Sequence, residues 1–141
     1  KIEGNMIRKK SDPTSFELTS TEKGKYSNST FRVLRQYSNF ACVEIKPYTG
    51  RTHQIRVHSS SLANPIFGDN KYGGGIKKSN EYAHEFRRIS SSVISRFNRH
   101  ALHAISIEFE LMNSNGKRLK LNSPIPDELI ELEKRLSVNE N

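Results

Sequence analysis

Strict alternation of apolar and polar side chains sets in at Phe31. Phe31, Val33, Arg35 and Tyr37 fall on one side of an extended chain, and Arg32, Leu34 and Gln36 on the other, which predicts a strand. Ser38-Asn39 supplies turn residues. Ala41, Val43 and Ile45 then alternate with Cys42, Glu44 and Lys46, so the two runs predict a β-hairpin that Pro47, with no amide hydrogen, brings to an end. A longer alternation puts Ala101, His103, Ile105, Ile107, Phe109 and Leu111 on one face from Ala101 to Met112. Asn113-Ser114-Asn115-Gly116 provides the positive-φ residues of a tight turn, and Lys117 to Asn122 returns, a second strand–turn–strand unit.

The period changes elsewhere. Ile55, His58, Ser59 and Leu62 recur at helical spacing, which predicts a short helix over Thr52 to Leu62 with the Thr52 hydroxyl as N-cap. Ala63 to Gly75, with Pro65, Gly68 and Gly73-Gly74-Gly75, reads as a loop. Lys77 to Arg99 is basic, with Phe86, Ile89, Val93, Ile94 and Phe97 in a rough helical period, and reads as a helix or an ordered insertion. Beyond Pro124 and Pro126, Asp127 can cap a terminal helix striped by Leu129, Leu132 and Leu136, with Glu131 four residues before Arg135. Antiparallel hairpins flanked by helices make an α+β fold. At 141 residues, one domain spanning 1–141 with one core is expected.

Composition narrows the class. No run reaches the roughly 18 apolar residues of a membrane helix, and the single Cys42 excludes an internal disulfide framework; both fit a soluble protein in the reducing cytoplasm. The chain opens on Lys1 rather than Met, as expected of a piece of something longer. Its net charge is +8 and unevenly spread. Residues 1–60 hold 11 bases and 5 acids (+6), 61–100 hold 7 and 3 (+4), and 101–141 hold 5 and 7 (−2). A basic body with an acidic tail points to a polyanionic partner, nucleic acid first.

The densest group of functional atoms is Thr49-Gly50-Arg51-Thr52-His53-Gln54-Ile55-Arg56-Val57-His58, leaving a strand through a glycine turn into the predicted helix. Amides at that helix start, with Arg51, could hold a phosphate. Arg56 shares a face with Thr52 and can point inward, where it demands a carboxylate, while Arg51 projects outward. On these residues alone a structural salt bridge with surface charge accounts for the two arginines better than a catalytic role does. His53 and His58 are five apart, not the four that pairs imidazoles for zinc, which argues against a metal site and a metal-dependent nuclease. His103 reads as a hydrogen-bonded core histidine. Gly73-Gly74-Gly75 lacks the Lys-Ser/Thr pair of a nucleotide loop.

The run Tyr48 to His58, followed by Asn64-Pro65-Ile66-Phe67-Gly68-Asp69, Tyr72-Gly73-Gly74, Arg99-His100-Ala101-Leu102-His103-Ala104 and Ser123-Pro124-Ile125-Pro126-Asp127, closely resembles the RluA family of pseudouridine synthases. The basic insertion between Tyr72 and Arg99 is similar to that family's RluD-like branch, which acts on large-subunit ribosomal RNA. The resemblance runs from Gly24-Lys25 to the terminal helix. It implies isomerisation of a uridine in structured RNA, with cleavage of N1–C1′ and reattachment through C5, by an aspartate and a tyrosine and without metal or organic cofactor. Carried over by position, Arg56 is the arginine that pairs with the catalytic aspartate. Leu102 is a candidate for apolar packing near the target base, and Arg51, Thr52, His53 and Gln54 are candidates for RNA contact or for bracing the helix.

The family's aspartate lies in an Arg-Leu-Asp segment, and neither that segment nor the tyrosine is in this sequence. Asp12, Asp69 and Asp127 lack its context. The expectation is therefore the C-terminal portion of a catalytic domain, inactive by itself, with Arg56's carboxylate supplied by the missing N-terminal half. The alternative is a non-catalytic RNA-binding module that kept the basic scaffold.

Overall fold

Alternation builds two antiparallel sheets. In the computed structural model, which describes residues 1–82, 84–112 and 115–137, the first sheet holds β1 (Ile2–Arg8), β2 (Phe16–Thr19), β3 (Lys25–Gln36) and β4 (Ala41–Pro47) in the order β2-β1-β3-β4. The expected hairpin is β3–β4, paired Phe31↔Ile45 and Val33↔Val43, with a bulge between Val33 and Arg35 that shifts the register. β1, β2 and the first half of β3 come from the first thirty residues, where no alternation is apparent. The reason lies in Ser27 and Ser29, both fully buried: inward positions of β3 carry hydroxyls where a strand pattern would place apolar side chains.

Among the described residues four helices follow or flank the sheets, α1 (Gln54–Ser61), α2 (Ile76–Ser79), α3 (His84–Arg96) and α4 (Asp127–Ser137), with one 3₁₀ turn at Asn70–Tyr72. The antiparallel sheets and packed helices are the α+β class expected. α4 carries the predicted stripe, Leu132 and Leu136 being buried and Leu129 partly so, and Arg135 Nε reaches Glu131 at 3.0 Å. Asp127 is its first helical residue rather than its cap, since Pro126 already gives its carbonyl to the Leu129 and Ile130 amides.

The second sheet, β5 (Ser106–Glu110) with β6 (Arg118–Asn122), is shorter than the alternation predicts. Residues 101–105 lie outside it: the Ala101 amide donates to Phe67 O at 2.8 Å and that of Leu102 to His100 O at 2.8 Å, so their backbone is spent on the 64–75 loop and a local turn. His103 is accordingly off the strand and half-buried, and its Nε2 has no hydrogen-bond partner among the described residues, contrary to the satisfied core histidine expected. Asn115 (φ 51°) and Gly116 (φ 81°) take the positive φ their turn requires; Asn113 and Ser114 lie outside the described residues.

Buried apolar side chains form two clusters where one core was expected. Met6, Val57 and Tyr72, with Phe16 and Leu18, seal α1 and the 3₁₀ turn against the first sheet. Phe86, Leu132 and Leu136, with Phe40, Phe67 and Phe97, join α3 and α4 to the end of the β3–β4 hairpin. There Arg35 grips Glu133 through Nε and Nη2 at 2.7 and 2.8 Å, and Tyr37 Oη donates to the same carboxylate at 2.7 Å. With 33% hydrophobic residues, the chain covers two separate helix–sheet contacts thinly instead of one deeply.

The glycine triplet serves packing. A Cβ on Gly74 would overlap the Ile66 carbonyl oxygen, because the loop closes on itself through Gly68 N–H to Gly74 O and Gly74 N–H to Asp69 O, both 2.8 Å. Gly74→Ala must displace backbone on both sides of Asp69, so we expect a loss of about 2–3 kcal/mol, the upper range of overpacking. An unchanged urea midpoint for the variant contradicts this.

Candidate active site

The segment leaving β4 turns sharply before it coils. His53 adopts a left-handed φ of 57° and is the N-cap of α1, with no side-chain capping bond, so Thr52 is not the cap that spacing predicted. Gln54 instead ties the turn before the helix to the first sheet. Its Oε1 accepts the Arg51 amide at 3.1 Å and the Thr49 hydroxyl at 2.7 Å, while its Nε2 donates to Asn28 O and Ser29 Oγ at 3.0 and 2.9 Å. A left-handed non-glycine residue costs on the order of 1 kcal/mol, and this side-chain bracket holds it.

α1 then presents two ionisable residues inward. His58 is the largest fully buried side chain, at 0% exposure. Ser27 Oγ donates its one proton to Gly4 O at 2.8 Å, so the 2.9 Å contact with His58 Nε2 requires an N–H there. Nδ1 then accepts from Ser29 Oγ at 3.1 Å. The network defines a neutral Nε2–H imidazole, and burial pushes its pKa below the ordinary value.

Arg56 is the other. Its Nε donates to Asp69 Oδ2 and its Nη2 to Asp69 Oδ1, each at 2.7 Å. The pair is well enclosed: the Asp69 side chain is 1% exposed and that of Arg56 15%. Asp69 Oδ1 also caps the 3₁₀ turn, accepting the Lys71 and Tyr72 amides at 3.2 Å. The Arg56 guanidinium lies over the Tyr72 ring, 4.7 Å from its centroid. Tyr72 Oη accepts the Phe16 amide at 3.1 Å and meets His53 Nδ1 at 2.8 Å. Burial alone would raise the Asp69 carboxyl, but the Arg56 hydrogen bonds and charge, with the Tyr72 amide, hold it below the usual carboxylate range. The same bonds raise Arg56. Burial, then Arg56 and Lys71, lowers His53.

Within this chain the carboxylate that meets Arg56 is Asp69, thirteen residues on. Its sequence neighbours do not match a nucleophile's; its spacing from Tyr72 is that of a capping aspartate, and an inward arginine needs such a partner. Both Asp69 oxygens are occupied and enclosed, so it is no attacking group.

A cleft of about 530 Å³ runs beside the pair, lined among others by Arg56, Asp69, Lys71, Phe97, Arg99 and His100. Asp69 takes the side edge of the guanidinium, Nε and Nη2. The end edge, formed by Nη1 and the second Nη2 hydrogen, carries no bond among the described residues, leaving a second planar fork for a carboxylate. Of the other sequence candidates, Arg51 and Thr52 are exposed, Arg51 Nε donating to Tyr26 O at 2.8 Å. His53 is half-buried against Tyr72, Gln54 is a buried brace, and Leu102 is half-buried in the segment after Arg99. His53 and His58 face different partners, and among the described residues no three His, Cys, Asp or Glu side chains converge as metal ligands. Nor is any described helix long and apolar enough to cross a membrane.

The fold is shared with a solved pseudouridylate synthase domain. Human RNA pseudouridylate synthase domain containing 1 superposes with a TM-score of 0.62 at 25% identity, over 89% of this chain and 47% of that one. The profile of the RNA pseudouridylate synthase family matches residues 3–61. Ribosomal large subunit pseudouridine synthase D of Vibrio cholerae is 34% identical over 82% of this chain and 34% of its own length. Its counterpart from Haemophilus influenzae is 33% identical over 77% and 32%, and the RNA pseudouridine synthase YlyB of Bacillus subtilis 33% over 98% and 39%. The chain thus spans about a third of the length of the curated relatives it matches. It belongs to the RluA family of pseudouridine synthases, on the RluD-like side.

Proposed function

We propose that this chain is the C-terminal portion of the catalytic domain of an RNA pseudouridine synthase acting in the cytoplasm on large-subunit ribosomal RNA. The observation that carries the reading is the free end edge of Arg56 at the wall of a cleft flanked by Lys71, Arg99 and His100. A uridine within a helix must leave its stack before its glycosidic carbon can be reached, and bases around the cleft suit the phosphates on either side. The nucleophilic aspartate and the tyrosine beneath the base come from residues outside this chain. Arg56 then serves two carboxylates: Asp69 on its side edge and the nucleophile on its end edge, where the charge keeps the nucleophile ionised and aimed at C1′. Contact with RNA is assigned in this reading to Arg51 and Thr52, which are exposed at the start of α1, and packing near the base to Leu102. Gln54 and His53 support the turn from within.

Pseudouridine mapping of ribosomal RNA from cells with and without the gene tests the reading: loss of modification at a large-subunit site is expected, and an unchanged map overturns it. Residues 1–141 by themselves should give no pseudouridine. Product from them would place the nucleophile inside this chain.

A further inference from the structure

On the proposed function the reaction needs Arg56 in one orientation, and Asp69, Tyr72 and His53 are arranged around that need. We propose that Asp69 is a positioning residue which, with the Tyr72 ring as floor and His53 bracing the Tyr72 hydroxyl, locks the Arg56 guanidinium so that its end edge faces the cleft. The proposal rests on the pseudouridine synthase reading and deepens it.

The geometry supplies each part of the lock. A guanidinium at the end of a flexible side chain can turn about its last bonds, and a single hydrogen bond leaves that freedom. Two parallel bonds to one carboxylate, both 2.7 Å, remove it and fix the plane of the fork. The carboxylate itself cannot turn, because Oδ1 also holds the Lys71 and Tyr72 amides. The aromatic floor lies 4.7 Å below the guanidinium carbon, and the Phe16 amide and His53 Nδ1 fix the Tyr72 hydroxyl from the first sheet and from α1. The 3₁₀ turn, β2 and α1 therefore all contribute, directly or through Tyr72, to holding one side chain. Asp69 holds the side edge, and Arg56, which lines the cleft, has no bond to its end edge among the described residues.

In the full-length protein, Asp69→Asn should lower kcat for pseudouridine formation on the order of 100-fold, the cost of misplacing a reacting group by about an ångström, with KM for RNA within a few-fold. Leu136→Ala, in the other apolar cluster, supplies a destabilised control away from the cleft. Assayed below both unfolding midpoints, it should keep kcat within about two-fold. Equal losses of kcat in the two variants, or no loss in Asp69→Asn, overturn the proposal.

A second measurement does not depend on the variant folding. In wild-type protein, the ¹⁵N-resolved Nε–H signal of Arg56 should be sharp and exchange with water far more slowly than those of the exposed Arg88 and Arg96. Exchange at their rate means no lock exists. If the wild-type protein makes no pseudouridine in any RNA, the functional reading fails by itself, and the exchange measurement still decides whether Arg56 is held.

Discussion

Arg56→Ala in the full-length protein is expected to abolish pseudouridine formation, a loss on the order of 1000-fold or more, while RNA affinity changes by no more than a few-fold. The asymmetry follows from what the residue faces. Arg56 is 15% exposed and bonded to Asp69, so it offers RNA little surface, and its removal deletes one of many charges. The slope of affinity against salt should drop by about one phosphate contact at most. On the proposed function chemistry depends on it more steeply, because there the end edge of the guanidinium orients the attacking carboxylate and keeps it ionised. Alanine also strands the Asp69 carboxylate in a site where it is 1% exposed, costing about 3–5 kcal/mol of stability. Arg56→Lys separates the two effects. The ammonium keeps the charge next to Asp69 but has no planar fork to share between two carboxylates, so a folded lysine variant should still be nearly inactive. Turnover close to wild type in the lysine variant, measured by mass spectrometry of the RNA product, would remove Arg56 from its assigned role.

The second large effect is on stability. His58→Ala should cost about 3–5 kcal/mol, since it empties a ring-sized space at 0% exposure and takes a hydrogen-bond partner from each of Ser27 and Ser29. The same residue sets a pH dependence. Its folded pKa is lowered by burial, so as pH falls below the unfolded value of about 6.5 the unfolded chain binds the proton first. Stability therefore declines from that pH downward, until the folded value is also passed. In His58→Ala this part of the decline should disappear, leaving a shallower slope carried by His53, whose pKa is also lowered. Asp69 acts in a separate window: its lowered pKa contributes stability present above the ordinary carboxylate range and lost only in more acid solution. Urea titrations of both proteins at several pH values check this, and parallel slopes between pH 6.5 and 5 contradict it.

Much of this molecule was legible in the amino-acid order. β3–β4, β5–β6, α1 and α4 follow from local periodicity, because a period of two or of 3.6 is a property of neighbours along the chain. The run from Thr49 to His58 carries an inward arginine, which implied a carboxylate. Tertiary structure alone decided which one. Asp69 meets Arg56 only because the 64–75 loop folds back on α1, and nothing in the spacing of thirteen residues encodes that return. The same holds for β1 and β2, for the shortening of β5 and for the buried serines of β3. Their inward atoms are satisfied by His58, Gln54 and backbone carbonyls distant in sequence, so no local pattern records them. Periodicity reports which side of an element is buried; which polar group waits on the other side of the contact depends on how the elements come together.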